Sequence, residues 1–174
     1  MLVPDPTPPI SRRRWPWLVL AAVVAAGVIG GGYLLADRLL NPQAGMDARA
    51  AQVMPFDLNA TTHTFTKTDQ GGVEEVVALD PADARNIDLI RSHLEYEATE
   101  FRKGNFSDPA TIHGMDMPGL QDLEAGASRI DVRFESLPAG GRITYSSDDP
   151  ALVAALHSWF DRQTTDHAMP GMGG

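Results

Sequence analysis

Histidine and methionine are the residues of this chain best suited to chemistry, and all five histidines lie beyond residue 60. The densest stretch is Ile112-His-Gly-Met-Asp-Met-Pro-Gly119. It sets an imidazole (His113), two thioethers (Met115 and Met117) and a carboxylate within five residues of a loop bent by glycine and proline. The tail Asp166-His-Ala-Met-Pro-Gly-Met172 repeats the mixture. Thioether and neutral imidazole together suit Cu(I), and neighbouring carboxylates also admit Cu(II) or Zn(II). The competing reading is that methionine fills gaps in a core, with Met117 plugging its loop against a sheet.

His93 and Glu97 stand four residues apart on a predicted helix, flanking its apolar stripe, and His157 flanks the stripe of a second helix. Helices packed side by side would let His93, Glu97 and His157 converge in the groove between them, with His113 arriving from its loop. That group could bind a metal or act as a general acid/base set. It could equally be a helix-supporting i,i+4 pair beside a packing histidine. His63 shares a strand face with Phe65, and the pattern leaves open whether that face is the core.

Other chemistries are excluded. The chain has no cysteine, so disulfides, thiolate metal sites and thiol catalysis are ruled out. There is no phosphate-cradling glycine loop, G-x-S-x-G elbow, H-E-x-x-H or haem attachment motif. The net charge is −9, and because residues 1–40 hold four basic against two acidic groups, the remainder carries −11. An acidic domain without a basic stripe repels phosphate backbones, which argues against a nucleic-acid partner. Binding rather than catalysis is the expected role.

The elements that must position these residues begin after an apolar stretch. Residues 1–14 form a proline- and arginine-rich tail, read as cytoplasmic. Residues 15–36, from Trp15 to Ala36, carry no charge. As a helix of ~1.5 Å rise per residue they match a ~30 Å hydrocarbon core. Arg12, Arg13 and Arg14 before the span against Arg38 after it put the N-terminus in the cytoplasm and the rest across the inner membrane, on the periplasmic side. A cleaved signal peptide is the alternative, but its apolar run is usually shorter, about 7–15 residues. Residues 37–55 read as a short helical extension and linker, with Asn41-Pro-Gln-Ala-Gly45 as a break.

Residues 56–165 read as a single exported domain, followed by a flexible Met/His/Gly tail at 166–174. Thr62–Thr68 alternates, Asp69-Gln-Gly-Gly72 is a turn and Val73–Leu79 reads as a second strand, which predicts a hairpin. Pro81 opens a helix whose Ile87, Ile90, Leu94, Ala98 and Phe101 share one face, and Gly104 ends it. Residues 105–127 read as irregular, with one helical turn near Leu120–Leu123. Arg129–Glu135 and Arg142–Ser146 form a second hairpin around Pro138-Ala-Gly-Gly141, and Pro150 opens a second helix bearing Leu152, Leu156, Trp159 and Phe160. The expected fold class is α+β: a two-layer sandwich of order ββαββα, a four-stranded antiparallel sheet with two helices on one face, preceded by one transmembrane helix.

Residues 54–168 resemble a family of small bacterial envelope proteins. The resemblance rests on Thr62-His-Thr-Phe-Thr-Lys67, Phe106-Ser-Asp-Pro109, Ile112-His-Gly114, Met117-Pro-Gly-Leu120, Ile143-Thr-Tyr145, Asp149-Pro-Ala-Leu-Val153 and His157-Ser-Trp-Phe-Asp161. Members often bear the name aspartate carbamoyltransferase, an activity that needs a Ser-Thr-Arg-Thr phosphate loop absent from this sequence. What the resemblance implies is an envelope setting, with the His113 loop and the His157 helix as the favoured site positions. The functional expectation is thus a membrane-anchored, periplasmic-side metal-binding protein, copper first, using His113, Met117, His93, His157, Met115 and Glu97. The alternative is an envelope interaction module that binds a protein or small ligand without metal.

Overall fold

The computed structural model describes residues 42–167. The tail 1–14, the apolar stretch Trp15–Ala36 and residues 168–174 lie outside the described residues. Among the described residues, no helix is long and apolar enough to cross a membrane.

Two hairpins make one sheet. Strands β1 (Thr61–Thr68) and β2 (Gly71–Ala78) pair antiparallel, as do β3 (Asp131–Leu137) and β4 (Gly140–Ser146). The hairpins join through their second strands, which gives the order β1-β2-β4-β3, antiparallel throughout. Period-2 alternation then sorts the side chains. Gly72, Val76, Gly141, Ile143 and Tyr145 face the core, while Thr62, Thr64, Thr66, Arg133 and Glu135 face outward. On the outer face Glu75, Arg142 and Glu135 stand opposite one another across three strands. Arg142 donates from Nε to Glu75 (2.6 Å) and from Nη1 to Glu135 (3.1 Å).

Among the described residues five α-helices accompany the sheet: α1 (Pro42–Val53), α2 (Ala84–Arg102), α3 (Ser107–His113), α4 (Leu120–Gly126) and α5 (Pro150–His167). The two long ones cover its core face, α2 over β3 and β4, α5 over β1 and β2. Glycine permits the close approach. A Cβ on Gly72 would stand 2.3 Å from the Phe160 ring of α5, and one on Gly141 would stand 2.9 Å from Leu94 of α2. Arg91 further ties α2 to the β3–β4 turn, donating to the carbonyls of Leu137 (2.6 Å) and Pro138 (3.0 Å). Arg102 donates to Val132 O (2.8 Å). Both arginines are therefore engaged with backbone.

Two expectations need correction. First, the order is not a bare ββαββα: α3 occupies part of the segment read as irregular, and the single helical turn expected near Leu120–Leu123 is the start of the full helix α4. Each spans only seven residues, too short for a periodic stripe to show. Gly119 (φ +81°) makes the turn between them, where a Cβ would strike the Ala155 carbonyl at 2.3 Å. Second, the helix expected to open at Pro81 begins at Ala84. Asp80 holds a turn by accepting from Ala82 N (2.8 Å), and Asp83 caps the helix by accepting from Asn86 N (3.0 Å). The break expected at Asn41-Pro-Gln-Ala-Gly45 meets the start of α1 at Pro42, beside which the compact unit that begins at Gln43 opens. Pro42 sits in the first turn of α1, where its missing N–H costs no helical bond.

Helix α1 buries Met46 and Ala50 against Ile112 of α3, apart from the main core. Arg49 fastens it by donating from Nε to Ile112 O (2.8 Å).

Candidate functional site

Beneath α1 lies a cavity of about 40 Å³, enough for an ion with a water or two but not for an organic substrate. Its floor is the sheet, through His63, Phe65 and Glu74. Helix α2 lines it with His93, Leu94, Glu97 and Phe101, and α3 with Asp108 and His113. Val53, Met54 and Phe56 cover it, and Trp159 and Gln163 of α5 complete the wall.

At its centre His93, Glu97 and Asp108 converge. One ligand atom from each lies within 4.8 Å of the others. The i,i+4 spacing on α2 puts His93 and Glu97 on one face, with His93 Nε2 3.8 Å from Glu97 Oε1. Asp108 reaches them because Phe101 stacks on Phe106, with ring centroids 4.6 Å apart. That contact folds the first turn of α3 back toward α2.

The electrostatics follow from burial. His93 and Glu97 are both buried, and a charge held out of water is costly unless paired. Desolvation pushes the Glu97 carboxyl up to about 10, aided by its hydrogen bond to Asp108 and by the negative charges of Asp108, Glu74 and Glu100. Desolvation lowers His93, against the pull of Asp108, and so favours the neutral imidazole. Glu74 is partly exposed as a residue, but its carboxyl end is interior. Burial raises it to about 7, while the bond donated by the Tyr145 hydroxyl (2.9 Å) works in the opposite direction. Two buried polar atoms at this pocket have no hydrogen-bond partner, Glu97 Oε1 and Trp159 Nε1. An acceptor among carboxylates and a donor among aromatic rings are each costly to leave unpaired.

Of the six residues expected from sequence, the structure brings His93, Glu97 and His113 to one pocket and leaves three elsewhere. Met117 is buried in the main core at 4% exposure, surrounded by apolar side chains. Met115 is 64% exposed. The expected convergence of His157 with His93 and Glu97 is corrected. The His157 flank of α5 faces the β1–β2 turn, where Nε2 lies 2.9 Å from Thr68 O and 3.0 Å from Gly71 O. His63 faces the core side, its ring 5.8 Å from Phe56, which also contacts His93 at 5.6 Å.

Sequence reasoning passed over Glu74 and Asp108. Glu74 had a readable signal, since it occupies the inward register between Gly72 and Val76, where an apolar residue belongs. Asp108 had none, because Ser107-Asp108-Pro109 reads equally well as a helix cap.

Compared with protein-family models, with curated proteins and with solved structures, the chain matches none of them.

Proposed function

We propose that this domain is a divalent-metal-binding protein of the cell envelope, with His93, Glu97 and Asp108 as the core of its site. The observation that carries the reading is the buried Glu97 oxygen without a hydrogen-bond partner, set among a second carboxylate and a neutral imidazole. A cation there satisfies the orphaned acceptor and replaces the proton that Glu97 otherwise holds.

The donor chemistry narrows the metal. An imidazole with two carboxylates suits Zn(II), Cu(II), Mn(II) or Fe(II), whereas Cu(I) favours thioethers. With Met117 packed in the core and Met115 in solvent, copper remains in this proposal as Cu(II). Three protein ligands leave coordination positions for water. The envelope setting rests on the uncharged run Trp15–Ala36 and its arginine asymmetry, which would hold the site on the periplasmic side of the inner membrane.

Equilibrium dialysis of the full chain against Zn(II), Cu(II) and Mn(II), with Cu(I) under reducing conditions, tests the proposal. Asp108→Asn and His93→Asn should each weaken divalent binding by about 100-fold or more, at or beyond the cost of removing a ligand's own hydrogen-bond partner. Divalent binding unchanged in both variants, or no binding in the parent protein, would overturn it.

A further inference from the structure

The wall of this pocket repeats one donor pattern three times. The β1–β2 hairpin contributes His63 and Glu74, α2 contributes His93 and Glu97, and α3 contributes Asp108 and His113. Each element thus offers one imidazole and one carboxylate. On the sheet His63 pairs with Val76 and Glu74 with Phe65, so His63 and Glu74 are diagonal neighbours on the core face. Diagonal neighbours stand ~7–8 Å apart, within reach of long side chains. The trio of His93, Glu97 and Asp108 uses only half of this set.

Charge argues in the same direction. Glu74, Glu97 and Asp108 bring three carboxylates to one small cavity, and among the described residues no lysine or arginine lines it. One divalent cation leaves an ionised set with a net negative charge in a poorly solvated place, where each uncompensated ion costs several kcal/mol. A second divalent cation reverses that balance, and a water-derived hydroxide then brings it to neutrality. The buried indole N–H of Trp159, without a partner on the same wall, is a donor suited to such an oxygen.

We propose that the pocket binds two divalent cations side by side, with Glu97 bridging them, His93 and Asp108 holding one, and Glu74 and His63 holding the other. His113 lies at the same wall as a further imidazole donor. The inference deepens the single-site reading and rests on it. It assigns roles to Glu74 and His63 that the mononuclear site does not require.

The test loads the full chain, purified in mild detergent, with Mn(II). Metal analysis after desalting gives the stoichiometry, and electron paramagnetic resonance shows whether the ions are neighbours. Two ions per chain with an exchange-coupled spectrum are expected. Glu74→Gln, which keeps the shape of the side chain, should reduce the content to one and return the spectrum of an isolated ion. His63→Asn should do the same, and it supplies the comparison if Glu74→Gln fails to fold, as judged by circular dichroism. One ion per chain in the parent protein, or two whose spectrum is uncoupled, overturns the pair and leaves the single site standing. No bound ion overturns both.

Discussion

The aromatic cluster between the helices and the sheet borders the polar pocket, and the two are built from opposite materials. In the cluster, Phe101 stacks on Phe106 at 4.6 Å, and Trp159 meets Tyr145 edge to face at 5.6 Å. Tyr145 meets Phe160 in the same way at 5.7 Å. These rings remove large apolar areas from water and gain further from their geometry, about 0.5–1.5 kcal/mol per pair. In the pocket, His93 and Glu97 are also buried, yet they bring desolvation cost and an unpaired oxygen. Phe101 and Trp159 belong to both regions. The contrast places the stabilising burial in the rings and the desolvation cost in the pocket.

The sharpest way to break that contrast is to remove a ring. Phe160→Ala should cost about 3–5 kcal/mol, the range for a buried phenylalanine, because the ring fills the space that Gly72 leaves open. Urea unfolding measures the loss. Metal uptake under folding conditions should be unchanged, and a parallel loss of metal would erase the division between the two regions.

Next in size is the pH response of the metal-free protein. Glu97 and Glu74 are raised in the folded state, to about 10 and about 7. Between about pH 4.5 and those values the native state therefore holds protons that the unfolded chain has released. The contribution of these two carboxyls should be greatest below about pH 4.5, fall as the pH rises through 7, and continue falling toward 10, while His93, lowered by burial, should subtract stability as the pH drops below its ordinary range. Glu97→Gln should flatten the upper part of this decline. Divalent metal, which needs the carboxylates ionised, should oppose it. Chemical denaturation at several pH values, with and without metal, reads each arm.

His157→Ala should cost about 1–2 kcal/mol, as expected for losing a side-chain bond that holds backbone carbonyls at a turn, and should leave metal content unaltered. Smallest of all, Met115→Ala should change stability by less than about 0.5 kcal/mol and should not affect divalent binding, since this methionine is in solvent. A clear loss of metal in either variant would move the site toward the loop and away from the pocket.

Both hairpins and both long helices were legible because their periods of 2 and 3.6 hold over seven or more residues. Helix α3 was not, and α4 only as a single turn near Leu120–Leu123, since helices of seven residues are too short to carry a stripe. The pairing of His93 with Glu97 was visible as helical spacing. Asp108 depends on the return of α3 against α2, a tertiary fact with no local signature. His157 misled because its place beside an apolar stripe says that it meets a neighbour, without saying which one. The methionines misled through composition, which cannot separate a ligand from a filler such as Met117.

Helix α1 gives the pocket a kinetic character of its own. It is joined to the body by Met46, Ala50 and Ile112 and by the Arg49 bond, and the chain leaving it at Val53 and Met54 forms the cover. A contact patch that small opens at far lower free energy than the ring-filled core, so it unlatches many times for each global unfolding event. If the proposed ion binds there, its residence time should follow the fraying of this one helix, and substitutions at Met46 or Arg49 should tune it without altering a single donor atom.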